Sequence, residues 1–156
     1  MNWSKPHITK VYEALGAIGD GRLEMKQDNS ARMYSSSRNK FYVVLYNPLD
    51  DSIMTNDNAS YYVGYLGYPM IAYLMKIGKI PFDEELSKLL SGIAWKDINQ
   101  QFKNDFDKTR EYILDGLVEK GYDRADIERR IRNIYDVIVS WEWKMNGKKI
   151  KPPEGY

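Results

Sequence analysis

Arg32-Met33-Tyr34-Ser35-Ser36-Ser37-Arg38-Asn39-Lys40-Phe41-Tyr42-Val43-Val44-Leu45-Tyr46, residues 32–46, decides the fold. Ala31 and Met33 alternate with Arg32 and Tyr34, the period of a half-buried strand. The serines and Asn39 are turn formers. Phe41 to Tyr46 is apolar or aromatic at every position, which predicts a strand covered on both faces and central in its sheet. Upstream, Leu23 and Met25 alternate with Arg22, Glu24 and Lys26, and Asp28-Asn29 makes the turn between. Downstream, Asn47-Pro48-Leu49-Asp50-Asp51 turns into a shorter strand around Ile53 to Thr55. The four segments read as an antiparallel meander.

Helical spacing flanks the meander. Ser4 offers a cap and Pro6 an opening turn for a first helix with Ile8, Val11, Tyr12, Leu15 and Ile18 on one apolar face. After Asn56-Asp57-Asn58, Pro69 to Ile77 is helical and stops at Gly78. Phe82 to Leu90 follows Pro81 with three acids in its first turn. Asp97 and Gln100 resemble a capping box for one long helix displaying Phe102, Phe106, Ile113 and Leu117 up to Gly121. Asp123 opens a last helix with a stripe of Ile127, Ile131, Ile134, Ile138, Trp141 and Met145. Two long helices joined by a short turn pair as an antiparallel hairpin. The expected fold is therefore α+β: an N-terminal helix, a four-stranded antiparallel meander, then a C-terminal helical half ending in an antiparallel helix hairpin. Residues 1–145 form a single domain, and residues 146–156 read as a flexible basic tail.

The chain has 156 residues, enough for one core without disulfides. Net charge is +1, which excludes a strongly basic nucleic-acid coat but not a local patch. Residues 1–46 are net basic, 47–120 net acidic and 121–156 net basic again. Zero Cys and a single His remove thiol chemistry and zinc or iron–sulfur sites. With no signal-like segment and no membrane-length apolar run, a cytoplasmic protein without membrane contact is expected, with no cofactor.

Two constellations bear on function. The turn Ser35 to Lys40 gathers hydroxyls, backbone N–H groups and two cations, the groups that hold phosphate oxygens; its plainer reading is an ordinary polar hairpin turn. Ser60-Tyr61-Tyr62-Val63-Gly64-Tyr65-Leu66-Gly67-Tyr68-Pro69 packs four Tyr and two Gly into ten residues. Tyr faces stack on bases, and the same rings equally suit a loop sealing the sheet onto the helices.

The order of basic strand, serines, aromatic strand, hairpin, and aromatic loop into Ile71-Ala72 resembles SWIM-type ββα zinc fingers over about residues 22–76. Their ligands follow Cys-x-Cys and Cys-x-His; here Met54, Asn56, Tyr68 and Met70 stand at those positions, so no zinc is implied. The resemblance implies nucleic-acid or protein binding, with an apolar and tyrosine cluster replacing the metal.

Catalytic signals are sparse. Gly16-Ala17-Ile18-Gly19-Asp20-Gly21 ends a helix where a nucleotide loop would open one. His7 reads as a solvated residue, and the last helix, with Asp126–Arg130 and Glu128–Arg132 at i,i+4, as a salt-bridged face. Asp50 with Asp51, or Asp57 beside Asn56 and Asn58, are turn formers that would collect Mg²⁺ only if neighbours converged. The leading expectation is a non-enzymatic module binding DNA or RNA, with Arg32, Ser36, Arg38 and Lys40 on phosphates and Tyr61, Tyr62 and Tyr65 stacking. The alternatives are a protein-interaction or regulatory subunit, binding another protein or itself, and a Mg²⁺-dependent phosphate-handling enzyme.

Overall fold

The computed structural model describes residues 1–154. Helix α1 (Thr9–Gly19) leads into strands β1 (Leu23–Met25), β2 (Ser30–Tyr34), β3 (Phe41–Asn47) and β4 (Ser52–Thr55). Helices α2 (Asn58–Tyr62), α3 (Tyr68–Lys76), α4 (Glu84–Leu89), α5 (Trp95–Gln101), α6 (Phe106–Glu119) and α7 (Arg124–Ser140) follow. The sheet is the expected meander, order β1-β2-β3-β4, antiparallel throughout.

Register sets which face is wet. Ala31 pairs with Val44 and Met33 with Tyr42 on the covered face; Arg32 pairs with Val43 on the other. Phe41 and Leu45 on that second face are 39% and 37% exposed. So β3 is interior to the sheet, but it is covered on one face only, against the expectation from its unbroken apolar run. Arg32 stacks on Phe41, with 4.8 Å from guanidinium to ring centre, and this shields part of the outer face. On the covered face α3 packs against β3 and β4, with Tyr46 and Tyr73 in ring contact at 5.6 Å.

Helix α1 is the centre of the molecule. It packs on α3, α4, α6 and α7, and every residue from Thr9 to Ala17 is buried. The glycines on it let α4 come close: a Cβ on Gly19 would lie 2.1 Å from Ser87 O, and one on Gly16 2.6 Å from Leu90 O. Ser4 does not cap this helix. Its backbone instead bonds to Gly64 and Leu66, a bridge that leaves α1 to start at Thr9 without a side-chain cap.

The long helix expected from Asp97 is two helices. Lys103 and Asn104 adopt left-handed backbone (φ 52° and 61°), Asn104 N–H closes the first helix onto Asn99 O, and Asp105 caps the second through Lys108 N–H. Asp83 and Asp123 cap α4 and α7 in the same way. Helix α7 stops at Ser140, short of the expected stripe, because Trp141 is extended and Trp143 turns its indole N–H back onto Ile138 O. Asp126 does reach Arg130, whereas Glu128 pairs with Arg124 and not with Arg132 among the described residues.

Residues 143–146 run beside β4. Ile53 N–H bonds to Lys144 O, Asn146 N–H to Ile53 O, and Trp3 N–H to Trp143 O. This covers the edge strand, all four of whose residues are buried. Of the segment expected as a tail, Lys149 Nζ donates to Tyr61 O and Pro152 is buried. Residues 155 and 156 of that segment lie outside the described residues. No helix among the described residues is long and apolar enough to cross a membrane.

Candidate functional site

A pocket of about 520 Å³ opens where α1, the β2–β3 turn, α2 with its following loop, and α5 meet. That volume suits a small organic ligand. Its walls carry four ionisable side chains that are almost wholly buried: Lys10, Glu13, Arg22 and Asp57, each 1–6% exposed. Buried charge at this density is unusual unless it is paired or used.

One set of wall residues is basic. Arg22 enters from the segment before β1, donates from Nη1 to Tyr34 O at 3.0 Å, and is held by Asp20 through Nε at 3.2 Å. The bond to Tyr34 sets it beside Ser35, which is buried in the pocket wall. Ser36 Oγ accepts from Lys96 N–H at 3.2 Å, which ties the serine turn to α5 and brings the Lys96 side chain into the same wall. Tyr68 lies against Arg22, 5.9 Å from guanidinium to ring centre. Burial raises the Tyr68 phenol well above its ordinary pKa against the pull of Arg22, so the hydroxyl stays protonated.

A second set mixes charges. Lys10 and Glu13 lie one turn apart on α1, Nζ to Oε2 at 2.6 Å. Lys10 also sits 4.1 Å above the Phe106 ring. Glu13 Oε1 accepts from Asn99, whose own oxygen accepts from Thr109, so α5 and α6 brace the pair. Burial works against the Lys10 ammonium, but Glu13, with Tyr65 and Asp57, outweighs it and holds the pKa above 10.5. Tyr65 is raised by burial and stays a phenol beside Lys10.

Asp57 is the exception to this pairing. It precedes α2, and its Oδ1 has no hydrogen-bond partner among the described residues. Ser60 Oγ stands close enough to ease its charge but outside hydrogen-bonding geometry, and it too lacks a partner. Burial pushes the Asp57 carboxyl up to about 6, against the weaker opposing effects of Ser60 and Lys10. Gly67 makes the space: a Cβ there would lie 2.6 Å from Ser60 Oγ and 2.7 Å from Asp57 Oδ2. An acid titrating near neutrality inside a pocket is a common mark of a functional site.

The residues singled out in the sequence are divided by the fold. Ser36, Tyr62 and Tyr65 line this pocket, so the serine turn and the tyrosine loop, 20 residues apart or more, converge on one place. Arg32, Arg38, Lys40 and Tyr61 are outside it. Arg32 covers Phe41, Arg38 donates to Asp20 O at 2.6 Å, Lys40 lies 5.5 Å from the Tyr42 ring centre, and Tyr61 packs edge-on against Tyr62. His7 sits on the surface between Thr9 and Asp107. Asp50 binds back to Ser52 N–H and Oγ in its turn, and no group of three or more metal-ligating side chains converges among the described residues. Met54 is fully buried in β4, Asn56 accepts from Val43 N–H, and Tyr68 and Met70 lie in the first turn of α3.

Lys10, Glu13, Arg22 and Asp57 were not singled out as a group by sequence reasoning. Their one legible sign is that the polar side of α1 carries only Thr9, Lys10 and Glu13 among small and apolar residues, too little to face solvent along three turns.

A family model described as Uncharacterised conserved protein UCP014422 matches residues 3–144, which include every residue of the pocket wall. No curated protein and no solved structure matches the chain.

Proposed function

Since the chain belongs to this family along nearly its whole length, its function is best read from the pocket that the matched residues build, and we propose that it binds a nucleotide unit there. The phosphate would lie against Arg22, Lys96, Ser35 and Ser36, and the base among the aromatic rings of the same pocket. One observation carries this reading: a serine turn with a buried arginine and a tyrosine-rich loop, remote in sequence, both line one pocket of suitable volume. Arginine beside hydroxyls is the usual chemistry of phosphate recognition, and Tyr and Trp faces take bases without sequence preference. Arg38 and Lys40 already have partners, which favours the enclosed site over an open basic surface. The absence of cysteine fits a cytoplasmic setting, where nucleotides are abundant.

The unit is either a free mononucleotide or one residue of a single strand. Isothermal titration of the protein with the four ribonucleoside monophosphates, and separately with short single-stranded DNA and RNA, distinguishes the two. Saturable binding of a monophosphate, lost with Arg22→Met, supports the reading for free nucleotides. Binding of strands alone, weakening steeply with salt, assigns the pocket to nucleic acid. No heat and no competition in either arm overturns it.

A further inference from the structure

We infer that the phosphate subsite takes a terminal phosphate monoester, with Arg22, Tyr68 and Ser36 donating to its three unesterified oxygens. The ligand is then a free mononucleotide or the phosphorylated end of a strand, and an internal phosphodiester is refused. This rests on the nucleotide reading above and adds the form of the phosphate.

The inference follows from the donors that the fold leaves unspent. The Arg22 guanidinium is fixed at two of its nitrogens, Nε by Asp20 at 3.2 Å and Nη1 by Tyr34 O at 3.0 Å. Its Nη2 has no hydrogen-bond partner among the described residues. The Tyr68 ring centre lies 5.9 Å from the same guanidinium, and its hydroxyl also has no partner among the described residues. Neither atom is one of the unpartnered atoms sealed from solvent, which belong to Thr55, Asp57, Ser60, Trp95 and Arg110. Both residues line the pocket, so both groups open onto it. Ser36 Oγ accepts from Lys96 N–H at 3.2 Å, and its own proton has no acceptor among the described residues. The Tyr34 carbonyl that anchors Arg22 lies two residues before Ser36, so the backbone ties the serine to the arginine.

All three groups are available as donors. A guanidinium has no acceptor atom, and burial keeps the Tyr68 phenol protonated. Donors gathered without acceptors call for a group rich in acceptor oxygens, and arginine beside hydroxyls is phosphate chemistry. A phosphate monoester has three unesterified oxygens and one ester oxygen; a diester has two of each. Only the monoester meets all three donors. Its single ester bond leads away toward the open part of the wall, where Tyr62 is 68% exposed. A diester leaves one of these donors without a partner, which is costly where water is excluded. Its second ester arm would also have to pass a guanidinium belonging to a residue that is 1% exposed.

The test is isothermal titration of the unaltered protein with AMP, adenosine, 3′,5′-cyclic AMP, the dinucleotide ApA and its 5′-phosphorylated form pApA. The same set is run with uracil in place of adenine, so that base preference does not enter. AMP is expected to bind about tenfold or more tighter than adenosine, cyclic AMP and ApA. Binding of pApA at the level of AMP assigns the site to strand ends as well, and its failure beside a binding AMP assigns it to free mononucleotides; either outcome supports the monoester. Tyr68→Phe removes only the hydroxyl and is expected to weaken AMP about five- to tenfold while adenosine changes little. Cyclic AMP or ApA bound as tightly as AMP overturns the inference and leaves nucleotide binding standing. Unchanged AMP affinity in Tyr68→Phe overturns the part given to Tyr68. Absence of binding in both series overturns the inference and the nucleotide reading together.

Discussion

Lys10 Nζ lies 2.6 Å from Glu13 Oε2, and both side chains are within a helix packed on all sides, at 7% and 6% exposure. The pair lines the pocket and is braced there by Asn99 of α5 and Phe106 of α6. Removing one partner strands a charge in a site that cannot hydrate it. Lys10→Met should therefore lower the free energy of urea unfolding by about 3–5 kcal/mol, and the double variant Lys10→Met with Glu13→Leu should recover most of that loss. A double variant as unstable as the single one would mean that the pair stabilises the fold in its own right.

Asp57 gives a pH-dependent signature. Its folded pKa, about 6, stands above the ordinary value of 3.8. The stability it contributes is therefore fully present below pH 4 and is lost as pH rises through 6. Asp57→Asn escapes that loss. It should match the parent near pH 3.5 and exceed it by about 2–3 kcal/mol at pH 7, read from urea unfolding at the two pH values. A constant difference across the range would place the shift elsewhere.

Gly67 has ordinary extended backbone (φ −74°, ψ 162°), which any residue adopts, so Gly67→Ala tests contact alone. The added methyl would press on Asp57 and Ser60 at under 3 Å. The variant should lose about 1–3 kcal/mol and, at the same time, its ligand affinity. Retained affinity would separate the carboxylate's position from binding.

Two helical glycines should respond in opposite senses. Gly19→Ala sets a methyl 2.1 Å from Ser87 O and should force α4 away from α1, costing about 1–3 kcal/mol or more. Gly116, inside α6, has nothing within 4 Å of a Cβ, and Gly116→Ala should raise stability by about 0.5–1 kcal/mol. Thermal unfolding of the two variants beside the parent reads both.

The meander was legible because period and turn chemistry agree at every step: Leu23 and Met25, Ala31 and Met33, then Asp28-Asn29 and Asn47 to Asp51 as turns. Asp123 was legible as the start of its helix for the same local reason, whereas Asp83, read as a first-turn acid of a helix from Phe82, caps a helix that begins at Glu84. The break between α5 and α6 was not. Lys103 and Asn104 give no Gly or Pro signal, and only the cap offered by Asp105 marks it. The exposure of Phe41 and Leu45 was also hidden, since an apolar run is equally compatible with one covered face and two. For the site, Ser36, Tyr62 and Tyr65 were visible as residue types suited to binding. Lys10, Glu13 and Arg22 were not, because Lys and Glu on a helix ordinarily mean a solvated face; only tertiary packing turns that face inward.

The strand pairing of residues 143–146 with Ile53 and Trp3 has a bearing on biosynthesis. A ribosome delivers Trp3 and β4 long before it delivers Trp143. Until then Ile53 N–H and the backbone N–H of Trp3 have only solvent to bond, and Ile53 O has only the Trp3 indole N–H. The sheet edge therefore stays open through most of translation and is shut only when the last segment of the matched region emerges. A messenger truncated before that point would release a chain whose β4 is still competent to pair with a neighbour's.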